Sequence, residues 1–223
     1  AKRYGSRSKE IGLGLVTGNT ERRNANAQAD AQQRTDLDRL TAKAQWSYAE
    51  QQNAPGNWSL TERRLEGGLK YDYFLSKRSY LLVNTSAVGD TKANIQLRYT
   101  VGAGYGYQWV EEPDFAFSTE AGISYFSESY RTAVPDNETV AARLAYHLKW
   151  VISEGVDFLQ DVEYFPSLED SGDLYLTKDS RLRVSLTEKM FAQAQWQLEY
   201  DNTPSPGRER IDHRFLVSLG WTF

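Results

Sequence analysis

Apolar and polar residues alternate with a period of two along most of the chain. The clearest stretch is 95–109, IQLRYTVGAGYGYQW, where Ile95, Leu97, Tyr99, Val101, Ala103, Tyr105, Tyr107 and Trp109 take the odd positions and glycine or polar residues the even ones. Period two is the pattern of a β-strand with one apolar and one polar face. At about 3.3 Å per residue such a strand is roughly 50 Å long, against the five or six residues typical of ordinary sheets. The same alternation marks 11–15, 40–48, 65–73, 115–125, 140–150, 158–164, 182–186, 192–200 and 215–221. Segment 24–32 alternates alanine with Asn, Gln and Asp, and 79–88 is apolar in both phases. Together these segments predict twelve strands.

The connections fall into two kinds. Residues 34–39, 75–78, 110–114, 153–155 and 187–190 make short links, whereas 51–57, 130–137, 166–173 and 201–210 are longer and hold five of the six prolines. Short turns at one end and longer loops at the other are the asymmetry of a membrane barrel. Aromatic residues sort the same way. Trp46 and Tyr48 fall at the loop ends of their strands, and Tyr107, Trp109, Phe117, Trp150, Trp221 and Phe223 at the turn ends, as two interfacial belts require. The expected fold is therefore all-β: a transmembrane antiparallel up-and-down β-barrel of 12 strands. One outer-membrane domain covers residues 1–223, and 215–223 closes the ring against 11–16. A soluble barrel of lipocalin type is the alternative, with the aromatic faces turned inward.

Composition agrees once the strand geometry is known. Mean hydropathy is negative and no run approaches the roughly 18 to 20 apolar residues of a membrane helix, whereas barrel strands cross with about 9 to 11 residues and half of them polar. Tyrosine at 14 and tryptophan at 6 are high for a soluble domain of this size. Cysteine is absent and only His147 and His213 occur, which leaves neither disulfides nor a thiolate or imidazole metal cluster, and no cofactor is expected. Formal charge is −4 with both signs dispersed, so no basic face points to nucleic acid. Neither a basic leader nor a small-residue cleavage site opens the sequence, so a mature or trimmed chain is expected.

The segments IGLGLVTGNTERRNANAQADAQ, YTVGAGYGYQW and VEYFPSLED resemble the YdiY-like outer-membrane proteins, a family catalogued as domain of unknown function 481. The likeness runs over nearly the whole chain, with residues 17–20 and 164–170 its most recognisable pieces. It implies a bacterial outer-membrane β-barrel, lipid around the wall, and recognition of the C-terminal strand by the outer-membrane insertion machinery. It implies no enzymatic activity, and a monomer is expected.

On this phase assignment the inward face carries Lys43, Glu66, Lys70, Arg98, Glu120, Arg143, His147, Asp161, Glu163, Arg181, Arg183 and Arg214, with Glu10, Asp30, Asp72, Asp179 and Lys149 beside them. Two readings follow. The charges pair across a narrow lumen and plug it, because an isolated buried charge is too costly. Alternatively they line a small aqueous path for ions or little solutes, and the slight acid excess then predicts a mild cation preference. Two other functions are weighed against a porin-like barrel: surface binding or adhesion through the outer loops, and lipid hydrolysis centred on His213 beside Asp212 and Arg214. His147 lies between Arg143 and Lys149, a cationic neighbourhood without an evident nucleophile. Glu169, Asp170 and Asp173 share one loop but lack the twelve-residue calcium pattern. Gly102, Gly104 and Gly106 repeat with period two inside a strand, which favours close approach by large inward side chains over a phosphate cradle.

Overall fold

A computed structural model describes residues 4–16, 22–54 and 56–222, with side chains over 22–53 and 56–222. Its strands are β1 (Tyr4–Val16), β2 (Arg22–Arg34), β3 (Asp38–Ala54), β4 (Asn57–Phe74), β5 (Ser79–Asp90) and β6 (Ile95–Glu111), followed by β7 (Phe115–Tyr130), β8 (Asn137–Ser153), β9 (Val156–Pro166), β10 (Leu174–Ser185), β11 (Met190–Asp201) and β12 (Ile211–Thr222). Each is hydrogen-bonded antiparallel to its sequence neighbours, and β1 meets β12, so the sheet curls into a barrel. Turn residues set the corners: Gly56 and Gly155 take positive φ, which glycine adopts without the Cβ clash of other residues.

The expected interruption at 51–57 is not a loop. β3 runs to Ala54 and β4 begins at Asn57, with register shifts at Ala49/Glu50 and Gln52/Ala54. A bulge absorbs one residue without ending a strand, so the polar run QQNAPGN lies mostly in an extended hairpin. The closing seam also differs from expectation. β1 pairs with β12 through Ser8–Thr222 to Ile11–Leu219, not through 11–16, because the hydrophobic pattern fixes phase but not the slide of one strand along another. Phe223 and residues 17–21 lie outside the described residues.

The barrel is apolar outside and polar within. Phe215 and Val217 are 76% and 75% exposed, and Leu65, Val83, Val101, Ile123 and Leu144 are likewise on the surface, while Arg64, Asp72, Asp90, Arg98, Glu120, Arg143, Arg181 and Arg214 are buried. A soluble barrel would show the reverse. Outward aromatics gather in rows: Phe115, Trp150 and Phe158 stand side by side on β7, β8 and β9 at the turn end, with Tyr107 edge-on to Trp109 at 4.8 Å. Nearer the loop end Trp46 stacks on Tyr48, and Tyr99 meets Tyr125, both at 6.1 Å.

β5, ambiguous in sequence, turns Tyr80, Leu82, Val88 and Asp90 inward. Tyr80 explains one of the β6 glycines. A Cβ on Gly106 would overlap the Tyr80 ring, so only a bare backbone lets that ring lie against the inner wall. Gly106→Ala is accordingly expected to cost about 1–3 kcal/mol through overpacking, read as a lower urea midpoint with an unchanged slope.

Candidate functional site in the barrel lumen

Inward charges meet in two layers. At the loop end, β4 and β5 supply Arg64 and Asp90, and on the far side β11 and β12 supply Glu199 and Arg214. Arg64 Nη1 donates to Asp90 Oδ2 at 2.9 Å, and its Nη2 lies 2.7 Å from Glu199 Oε1. Arg214 donates from Nη1 to Glu199 at 2.9 Å and from Nη2 to Asp90 at 3.1 Å. Two guanidinium groups thus alternate with two carboxylates in a closed square, an arrangement in which each buried charge has two opposite neighbours. Arg98 extends the layer: it pairs with Glu128 on β7, reaches Asp201 on β11 at 3.2 Å, and stacks over the Tyr175 ring at 4.5 Å. Above it the 202–210 connection reaches the turn between β5 and β6, where Asn94 Nδ2 donates to Ser205 Oγ at 2.9 Å.

The second layer lies nearer the turn end. Glu120, with a wholly buried side chain, accepts from the Tyr80 hydroxyl at 2.7 Å and Arg143 Nη1 at 2.8 Å, pairs with Lys70, and lies 3.3 Å from His147 Nε2. His147 Nδ1 lies 2.7 Å from Asp161, which also binds Arg181 and, at 3.3 Å, Lys43. Lys43 is on β3 and Asp161 on β9, six places apart round the strand order and therefore on opposite walls. Arg143 also bonds Glu163, Glu66 accepts from Arg64 at 2.7 Å, and Arg183 donates to Gln193 Oε1 at 3.0 Å. Between the layers Gln45 on β3 and Gln197 on β11 exchange amide hydrogen bonds of 3.1 and 2.9 Å.

Eleven of the twelve inward candidates named from the sequence thus enter these layers, and the twelfth, Arg183, bonds Gln193. The cationic neighbourhood expected for His147 is replaced by Glu120 and Asp161, because partners on the adjacent strands β7 and β9 stand closer than residues two apart on one strand. Arg64, Asp90, Glu199, Tyr80, Gln45 and Gln197 were not singled out. Arg64 shares the phase of Glu66 and Lys70 and was legible by extending that strand, whereas Asp90 closes the segment of undecided phase. His213 is on the outward face, 3.4 Å from Trp196 Nε1 and stacked on that ring. Two of the loop acids hold their own loops: Asp170 accepts from Gly172 N, and Asp173 accepts from the Thr203 hydroxyl. Among the described residues no group of three His, Asp or Glu is placed to hold a metal. Side chains of β1, Glu10 included, lie outside the described residues.

An antiparallel barrel with an apolar exterior and a charged interior defines the outer-membrane β-barrel class. Within it, the model of the family described as "Protein of unknown function, DUF481" matches residues 9–223, and the chain belongs to that family. The "Uncharacterized protein YdiY" of Escherichia coli (strain K12) is 24% identical over 186 residues, which are 82% of this chain and 70% of that relative. Among solved structures the NanC porin superposes with a TM-score of 0.54 at 9% identity, covering 98% of each chain. The translocator domain of the autotransporter NalP from Neisseria meningitidis gives 0.50 at 13% identity, over 99% of this chain and 88% of that one. At these identities the likeness concerns the fold.

Proposed function

We propose that this chain is a monomeric, integral outer-membrane barrel of twelve strands whose lumen is closed at rest, a porin-like envelope protein that passes small ions only when its inner charge layers rearrange. The carrying observation is the set of bonds across the lumen, Lys43 to Asp161 above all, since a conducting path needs water where these side chains meet. No catalytic role is assigned to the interior; its charges serve closure. The exposed apolar wall supports the membrane placement, because only closed barrels and helices satisfy every backbone group in lipid. On this reading the short turns face the periplasm and the insertion machinery recognises β12.

Two outcomes test it. The protein reconstituted in planar bilayers is expected to give no steady conductance in molar salt at moderate voltage, and a constantly open channel would overturn closure. Val101→Arg, in the middle of an outward row, is expected to cost about 2–4 kcal/mol for folding into lipid vesicles. Stability unaltered in lipid would place that row outside the hydrocarbon.

A further inference from the structure

From the second layer toward the turn end the lumen widens into a cavity of about 570 Å³ lined by β2–β10, with Lys43, Arg143, His147 and Asp161 of that layer in its wall and Arg34, Glu111 and Lys149 near its rim. That volume is in the range of small-molecule sites. Its charge differs from that of the chain as a whole: seven bases and four carboxylates line it. The vertical arrangement sharpens this excess. Asp72 and Glu120, which hold Arg39 and Lys70, have fully buried side chains and sit behind the lining, whereas the Lys43 side chain is 51% exposed into the space. The four lining acids each already receive a base: Glu111 from Arg34, Asp161 from Arg181 and Lys43, Glu163 from Arg143, and Glu66 from Arg64. Lys43 and Lys149 therefore face the water, with Arg34 partly so and Arg39 and Lys70 at the wall behind them, while the counter-charges lie beneath or are occupied. The acid excess counted along the chain gives way here to a cationic surface.

We propose that this blind-ended cavity is a binding site for a small multivalent oxyanion bearing phosphate or carboxylate groups, entering from the turn end. Arg34, Arg39, Lys43, Lys70 and Lys149 supply the donors, and planar guanidinium groups match either oxyanion in two-point contact. The closed second layer forms the floor, so the cavity holds a solute at the end of the barrel without letting it through. The proposal rests on the closed-lumen reading for that floor, but binding and conductance are separate measurements.

The test is isothermal titration of the full, detergent-purified chain with pyrophosphate, citrate and the neutral disaccharide sucrose. Binding of at least one anion, none of sucrose, and affinity falling with salt is the expected result. Lys43→Gln/Lys149→Gln is expected to weaken anion binding by about tenfold or more, as loss of two charge-assisted contacts requires. Lys178→Gln, on the outer face over Trp196, is expected to leave it unchanged. Preference for pyrophosphate or for citrate distinguishes a phosphate from a carboxylate ligand. The proposal is overturned by absence of heat with both anions, by equal binding of sucrose, or by full affinity in a double variant whose melting temperature shows it folded. A barrel that conducts yet binds anions would sink only the closed lumen. A silent barrel that binds none would sink only this site.

Discussion

Replacing Glu120 with alanine is expected to lower the unfolding free energy of the barrel by about 3–5 kcal/mol, the range for breaking a buried ion pair by removing one partner. This carboxylate is the junction of the second layer. It receives Tyr80 and Arg143, pairs with Lys70 and lies beside His147, so its loss leaves the buried donors of Tyr80 and Arg143 without this acceptor. Those donors cannot recover hydration because Tyr80 and Arg143 are themselves buried. Glu120→Gln keeps the shape and part of the hydrogen bonding, and its cost is expected to fall between that of alanine and wild type. Glu111→Ala at the rim, where the Arg34 pair is partly exposed, is expected to change stability by less than about 1 kcal/mol. Urea unfolding from lipid vesicles measures all three. Equal small effects would show that the interior is wet and the network unimportant.

The second large effect concerns conductance. Removing the charged side chains that cross the lumen, with Arg64→Ala, Arg214→Ala and Lys43→Ala combined, is expected to turn a silent bilayer into one with discrete channels, a rise of at least about tenfold over background. Arg64 and Arg214 are the two cations of the loop-end square, and Lys43 bridges opposite walls at the second layer. Their loss leaves Asp90, Glu199 and Asp161 lining a wider path, so the new current is expected to favour cations. Reversal potentials in a salt gradient read that preference. Lys178→Ala on the outer wall is the matched control. A triple variant that folds and remains silent would mean that some other feature, the 202–210 connection included, seals the lumen.

Much of this architecture was legible in the sequence because one physical rule governs it. A wall with lipid on one side and a polar interior on the other forces alternation, and β6 displays it from Leu97 onward, with Leu97 and Tyr99 outward and Arg98 and Thr100 inward, whereas a register shift at Ile95/Leu97 buries Ile95 against the sequence expectation. β5 escaped because both of its faces are apolar: Leu81 and Val83 point out, while Tyr80, Leu82 and Val88 point in and fill the barrel. Alternation carries no information when inner residues are core rather than polar lining. The 51–57 hairpin escaped because proline and glycine signal a turn but not how far the flanking ladder continues. Of the lumen, only the membership of the inner face was legible, through parity alone. Which acid meets which base depends on the slide between strands and on the width of the ring, so Lys43 with Asp161, or Arg64 with Glu199, could not be read from spacing. His147 illustrates the point: its strand neighbours are basic, but its partners are Glu120 and Asp161.

Because the chain contains no cysteine, single cysteines can be introduced along β6 and spin-labelled without background. Labels at positions 97 to 105, in protein folded into vesicles, can then be scored for collision with lipid-soluble oxygen and with a water-soluble nickel complex. Odd positions, Leu97, Tyr99, Val101, Ala103 and Tyr105, are predicted to collide with oxygen, and the even positions with neither reagent, as a lipid-facing wall around a closed lumen requires. Odd positions open to the nickel complex would contradict the membrane barrel, and even positions open to it throughout would contradict the closed lumen.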